Sequence, residues 1–156
     1  MESEFIPELI LNNLEVKDKE EAIKILGKKL FESGFTSQNY TEKVIEREKE
    51  YPTGLQTKSL AIAIPHATDS GIIGNHVAIG ILKNSVKFHN MEDFDSLVDV
   101  KVIFMLAISN AHQQLEMLKI LMRIFSEETL LPRLVKIESK EEICEYLNRY
   151  IKEEEP

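Results

Sequence analysis

Four histidines, His66, His76, His89 and His112, are the side chains of this sequence best suited to proton or phosphoryl transfer near neutral pH. His66 follows the apolar run Leu60-Ala61-Ile62-Ala63-Ile64 and is separated from it by Pro65 alone. Such a run reads as a strand buried on both faces. The end of a sheet strand is where α/β folds display reactive groups. Pro65 fixes its own φ and restricts Ile64, so the approach to His66 is stiff. The competing reading is an exposed loop histidine. His112 falls in the first turn of a predicted helix, where Asn110 and Gln113 have cap-and-third-residue spacing. There the positive end of the helix dipole disfavours an imidazolium, and unpaired N–H groups attract an anion such as phosphate. A neutral histidine donating to a phosphoryl oxygen fits that position; so does a plain exposed first-turn residue.

The other chemistry-bearing groups are weaker. His76 opens a strand after Gly74-Asn75 and His89 sits in a polar loop, neither with a partner nearby in sequence, so both read as structural or exposed. Arg47 lies in the run Glu46-Arg47-Glu48-Lys49. The run reads as a solvated helix face with exposed charge pairs. Alternatively, the Arg47 guanidinium braces a phosphoryl group through two N–H donors. Cys144, beside Ile143 and near Leu147, reads as a structural thiol. A zinc site from His66, His112 and a carboxylate lacks compact ligand spacing. No Gly-rich phosphate loop and no Gly-x-Ser-x-Gly elbow occurs.

Composition narrows the classes. At 156 residues the chain is long enough for one domain with a substantial core. One cysteine leaves no intramolecular disulfide and no cysteine-based zinc cluster. The net charge of -8 argues against nucleic acid, whose phosphates need a basic surface, and suits a basic protein partner. No apolar run reaches the roughly 20 residues that cross a bilayer. The first residues are acidic where a secretory signal is basic, so a cytoplasmic location is expected. The tail Glu153-Glu154-Glu155 reads as a solvated terminus.

These groups need elements to hold them. Residues 8–12 are a short strand candidate. Asp18 with Glu21 has capping-box spacing and opens a helix with Ala22, Ile23, Leu26 and Leu30 on one face and Gly34 as its stop. A second helix is predicted over 38–49, with Tyr40 and Val44 inward; Pro52 ends it and Thr53-Gly54 forms a turn. Strands are predicted over 60–64, 77–82 and 100–108, with a polar stretch holding a short strand at 86–88 between the last two. After Ser109 a helix presents Leu115, Leu118, Leu121, Met122 and Phe125 inward. Ser126 starts a further helical piece in which Pro132 sits too deep for the first turn, so a break or kink is expected there. Ser139 with Glu142 opens a last helix over 140–151. Helices on either side of a set of strands imply an α/β fold: a single-domain, three-layer α/β/α sandwich with a mixed central sheet, residues 1–156 with a core of about 9–151.

Three segments in order resemble a family. They are Arg47-Glu48-Lys49-Glu50-Tyr51-Pro52-Thr53-Gly54-Leu55; Ile62-Ala63-Ile64-Pro65-His66; and Phe104-Met105-Leu106-Ala107 with His112 and then Leu115-Glu116-Met117-Leu118. Together they resemble the fructose/mannitol class of phosphotransferase-system (PTS) A domains, EIIA type 2. The Tyr-Pro-Thr-Gly-Leu wording and the Ile81-Leu82-Lys83 strand end resemble the galactitol-type branch most. The likeness spans about Leu9 to Tyr150. It implies a phosphotransferase with a phosphohistidine intermediate. The phosphocarrier protein HPr would donate to His66, and His66 would pass the group to a cysteine of a cognate EIIB. That domain serves the membrane component EIIC as the sugar enters. Residue by residue, His66 matches the phosphorylated histidine, His112 the second active-site histidine and Arg47 the active-site arginine. Thr53 and Gly54 match a turn near the site. Family analogy puts the phosphoryl group on Nε2. No cofactor, metal or nucleotide is implied. Phosphoryl transfer needs a positioned nucleophile and charge stabilisation around three oxygens, which agrees with these roles. No B or C portion follows in the sequence, so a separate soluble subunit is expected, not inserted in a membrane.

Three other readings stay open. A regulatory, nitrogen-type A domain keeps the fold and changes the job. A metal-dependent hydrolase would use the histidines as ligands. A pure binding module would never carry phosphate.

Overall fold

The computed structural model describes residues 5–154, with side chains through Lys152. The first four residues and the end of the acidic tail lie outside that range. The order is a 3-10 turn Pro7–Leu9, β1 Ile10–Leu14, α1 Lys19–Glu32, α2 Tyr40–Glu50, β2 Gly54–Gln56, β3 Ala61–Ala63, β4 Asn75–Asn90, β5 Asp93–Ile108, α3 Ala111–Ser126, α4 Leu130–Leu134 and α5 Lys140–Glu154.

The strands form one mixed sheet. β4 and β5 make a long antiparallel hairpin. β1 runs parallel to β4, with Ile10 beside Ile79. β3 runs parallel to β5, with Ile62 beside Val102, and β2 lies antiparallel to β3, with Gly54 beside Ala63. β2 also meets the far end of β4, where Gly54 stands beside Asn90. Successive strand side chains point to opposite faces, so the sheet feeds two cores. Ala61, Ala63, Ala78 and Ala107 pack under α1 and α2. Ile62, Ile64, Phe104 and Leu106 pack under α3, α4 and α5. Each fully buried Leu, Ile or Phe contributes about 1.5–3 kcal/mol relative to exposure. The expected three-layer α/β/α arrangement with a mixed sheet is what these cores produce.

The helix signals act as expected. The Asp18 carboxylate accepts from Glu21 N–H at 2.9 Å, Asn110 Oδ1 from Gln113 N–H at 2.9 Å and Ser139 Oγ from Glu142 N–H at 3.2 Å. Gly34 takes the left-handed φ of 84° that ends α1.

Four expectations change. The predicted turn at Thr53-Gly54 instead delivers Gly54 as the first residue of β2. A Cβ on Gly54 would stand 2.6 Å from the His89 carbonyl oxygen and 2.8 Å from Val98 Cγ2, so only glycine lets β2 lie this close to the hairpin. The polar stretch between strands is no loop: β4 and β5 run through it to a two-residue tip at Met91-Glu92. Val86, Phe88, Val98 and Val100 are buried there while Lys87, His89 and Asp99 are exposed, a period-2 pattern without the Asn-Gly signal of a tight turn. Pro132 causes no break: α4 starts only at Leu130, which puts Pro132 in a first turn where its missing N–H has no helical partner to lose. In α3 the buried stripe is Met117, Ile120, Leu121, Ile124 and Phe125. Leu115 and Met122 are 52% and 40% exposed. Apolar residues occupy almost every side of this helix, so periodicity alone did not select the inward face.

Candidate active site

β3 and β5 run parallel, β3 ending beside Ile103 and β5 running on to Ile108, and the chain beyond each carries a histidine. β3 leads through Ile64 and Pro65 to His66, and the Pro65 carbonyl accepts from Leu106 N–H at 3.0 Å. β5 leads through Ser109 and Asn110 into α3, whose second residue is His112. Asn110 uses its side chain on Gln113 N–H, leaving the N–H groups of Ala111 and His112 at the open end of α3.

His66 is partly buried and its ring is oriented. Nδ1 lies 2.7 Å from the Ile64 carbonyl oxygen. A carbonyl only accepts, so Nδ1 carries the proton. Burial disfavours the charged ring and, with a smaller push from the Arg47 charge, holds the His66 pKa below its usual 6.5; the Ile64 hydrogen bond opposes this. The ring is therefore neutral at pH 7, and the lone pair resides on Nε2.

α2 lies across the loop that follows His66. Tyr40, Lys43 and Arg47 fall at i, i+3 and i+7 on one side of it. The buried Tyr40 hydroxyl sits 2.5 Å from the Leu106 carbonyl oxygen and 3.3 Å from that of Ala67, and it accepts from Ala67 N–H at 3.2 Å. Desolvation of the phenolate pushes the Tyr40 pKa up to about 12, so the hydroxyl keeps its proton. Lys43 pairs with Asp69, whose side chain is 5% exposed, and Ser37 Oγ donates to the same carboxylate at 2.9 Å. The ion pair with Lys43 holds the Asp69 carboxyl below the usual range. These contacts pin residues 67–69. Arg47 is exposed, close enough for its charge to act on His66, with its guanidinium carbon 4.9 Å from the Tyr51 ring centre. Two clefts meet at Ala67-Thr68. One, of about 490 Å³, runs along Lys43 and Arg47; the other, of about 230 Å³, lies against Asn110, Ala111 and Leu115 at the start of α3.

The Arg47 charge thus acts on His66, and His112 is exposed in the first turn of α3. Among the described residues no hydrogen bond joins His112 to either. The remaining histidines lie apart. His76 stacks on Phe35 at 3.5 Å between ring centres, with burial holding its pKa down, and His89 Nδ1 bridges the hairpin to the Phe94 carbonyl at 2.9 Å. Cys144 is buried, with Sγ 2.6 Å from the Phe5 carbonyl oxygen. Among the described residues no three His, Cys, Asp or Glu side chains converge as a metal-ligand set.

Glu48 is a buried carboxylate that the charge pattern hid. It is 3% exposed, not part of a solvated face. Its Oε2 accepts from Thr53 N–H at 2.8 Å and its Oε1 from Thr53 Oγ1–H at 2.7 Å; Thr53 Oγ1 in turn accepts from Ile64 N–H at 3.2 Å. Burial raises the Glu48 pKa against these hydrogen bonds. A signal was present: Glu48 follows Tyr40 by eight residues and Val44 by four, on the same inward stripe.

The chain matches the family model "Phosphoenolpyruvate-dependent sugar phosphotransferase system, EIIA 2" over residues 4–150. It is 28% identical over 135 residues to the galactitol-specific EIIA component of the PTS from Escherichia coli K12, covering 86% of this chain and 88% of that one. Among solved structures, the mannitol enzyme IIA of Escherichia coli in complex with phosphorylated enzyme IIB superposes with a TM-score of 0.73 at 27% identity, over 90% of this chain and 94% of that one. The nitrogen regulatory protein IIA-Ntr of Neisseria meningitidis gives 0.74 at 26% identity, over 92% and 95%.

Proposed function

The chain belongs to the EIIA 2 family of the phosphoenolpyruvate-dependent sugar phosphotransferase system, and from that premise we propose that it is a cytoplasmic carrier domain, residues 1–156 with a core of about 9–151, whose phosphorylated atom is His66 Nε2. The observation that carries this reading is the 2.7 Å contact between His66 Nδ1 and the Ile64 carbonyl, which leaves the Nε2 lone pair of a neutral, partly buried ring for attack. In the transfer, Nε2 forms a bond to phosphorus as the P–N bond of a phosphohistidine donor breaks, and the donor ring takes back that electron pair. The second transfer reverses the roles, with a thiolate of the acceptor attacking and Nε2 leaving.

The surrounding groups serve charge. The Arg47 guanidinium and the N-terminus of α3, with the His112 ring at its second position, offer N–H donors to the three phosphoryl oxygens. The donor is phospho-HPr and the acceptor a cysteine of a cognate EIIB, through which the group reaches the sugar imported by EIIC. The enzyme IIA–IIB complex among the structural neighbours supports the second partner. The galactitol-specific relative supports galactitol or a related sugar or polyol as the transported molecule. Likeness to IIA-Ntr supports a regulatory role as the second reading.

The test is phosphorylation of the protein and of His66→Ala by phosphoenolpyruvate, the general phosphotransferase enzyme and HPr, followed by intact mass at neutral pH and after mild acid. One acid-labile phosphate on the wild type and none on the variant is the expected result. Onward transfer to a sugar-specific EIIB supports transport, and transfer to none supports regulation. A wild type that stays unmodified while the same mixture labels another A domain sinks the carrier reading.

A further inference from the structure

We infer that Glu48 is a positioning residue for His66, acting through the Thr53 hydroxyl and the Ile64 backbone to hold the imidazole as its Nδ1–H tautomer. The inference deepens the carrier reading and takes His66 as the reacting group.

The chain of contacts has one polarity. Ile64 N–H donates to Thr53 Oγ1 at 3.2 Å, so the hydroxyl must point its own proton elsewhere. It points it at Glu48 Oε1, 2.7 Å away, while the other carboxylate oxygen takes Thr53 N–H at 2.8 Å. A carboxylate accepts at both oxygens, so it satisfies both donors at once. Glutamine cannot: turned one way its NH2 faces Thr53 N–H, and turned the other way it displaces the hydroxyl proton from its place. At the far end, the Ile64 carbonyl meets His66 Nδ1 at 2.7 Å. Both backbone polar groups of Ile64 are thereby engaged, one on the Thr53 side chain and one on the imidazole.

The arrangement substitutes for a missing stretch of ladder. β2 and β3 pair from Gly54 and Ala63 onward. Pro65 has no N–H, so Ile64 offers the last donor of the strand before His66. The Thr53 side chain captures that donor where the β2 backbone does not. The contacts are dry: Ile64, Thr53 and Glu48 are 2%, 5% and 3% exposed. An unmade hydrogen bond there has no water to replace it, so a loosened Ile64 turns its carbonyl and releases Nδ1. Either ring nitrogen then carries the proton, and the fraction of His66 with a free Nε2 lone pair falls.

The experiment compares Glu48→Gln, Thr53→Val and Thr53→Ser with the wild type in two ways. Imidazole ¹⁵N shifts of His66 report the tautomer, and the rate of acid-labile phosphate uptake from phospho-HPr is read per folded molecule. Wild type should show a protonated Nδ1 and an unprotonated Nε2. Glu48→Gln and Thr53→Val should shift toward a tautomer mixture and take up phosphate on the order of 10–100-fold more slowly, the usual cost of removing an orienting partner. Thr53→Ser keeps the hydroxyl and should keep the wild-type tautomer and most of the rate. A purely structural role would lower the melting temperature and leave the ¹⁵N shifts and the rate per folded molecule unchanged; that result overturns the inference. If Gln or Val prevents folding, Glu48→Asp decides: it keeps the charge but reaches only one of the two donors, and wild-type shifts and rate in it overturn the inference equally. Should the wild type itself take up no phosphate, the carrier reading fails, while the ¹⁵N shifts still judge whether Glu48 sets the ring.

Discussion

The two faces of the sheet are built differently. Under α3, α4 and α5 the sheet presents Ile62, Ile64, Phe104 and Leu106 to Leu121, Ile124 and Leu147, a core held by apolar area. Under α1 and α2 it presents Ala61, Ala63, Ala78 and Ala107. The small side chains let α2 approach closely, so that Tyr40 reaches the Leu106 carbonyl and Glu48 reaches Thr53. The buried polar or charged residues found among the described part of the chain, Thr36, Glu48 and Thr53, all come from the α1–α2 side or the turn after it. Area burial is non-directional and tolerates small shifts. Hydrogen bonds with one polarity do not, and the side that carries them is the side that sets where His66 points.

That contrast can be broken by mutation. The largest stability loss should come from the apolar face. Leu121→Ala is expected to cost about 2–5 kcal/mol in chemical denaturation, because it leaves a cavity in a well-packed core. Its phosphate uptake per folded molecule should match the wild type, and a comparable drop in that rate would erase the distinction between the faces. Tyr40→Phe should cost less, about 1–3 kcal/mol, since it removes the hydroxyl that Ala67 N–H donates to while keeping the ring. Uptake should nevertheless slow, because the loop after His66 loses its pin; a Tyr40→Phe protein that is destabilised yet transfers at full rate would count against α2 as the positioning side.

The smallest effect is graded with pH. His66 in the folded protein has a pKa below the 6.5 of the unfolded chain, because burial disfavours its charged form. The unfolded state therefore binds more protons in that window, so this group's share of stability is complete above about pH 6.5 and shrinks as pH falls toward the folded value. Uptake of phosphate should hold as pH drops below 6.5 and decline only as the ring protonates at the lower, folded pKa. A ring NMR titration of His66 alongside rate measurements checks this, and a midpoint at or above 6.5 would contradict the burial argument.

Much of the architecture is legible in short stretches of residues. An apolar run stopped by Pro65 is enough to place His66 at a strand end, and side-chain caps at Asp18, Asn110 and Ser139 mark where α1, α3 and α5 begin. These are local signals, carried by residues within a few positions of one another. The ordered segments around Arg47, His66 and His112 also point to the family whose model the chain matches. What is not legible depends on partners distant in sequence. β2 exists because Gly54, having no Cβ, admits the hairpin beside it, and the hairpin exists because alternate residues of a polar stretch find the α1–α2 core. Glu48 reads as one charge in a solvated run until Thr53, folded back against it, supplies two donors to a carboxylate hidden from water. The nucleophile candidate, the helix ends and the layered architecture follow from residue type and short spacing alone. Which nitrogen of His66 holds the proton, and which buried carboxylate keeps it there, depends on the folded arrangement, because a tautomer is set by the atoms that surround the ring and not by the residue that bears it.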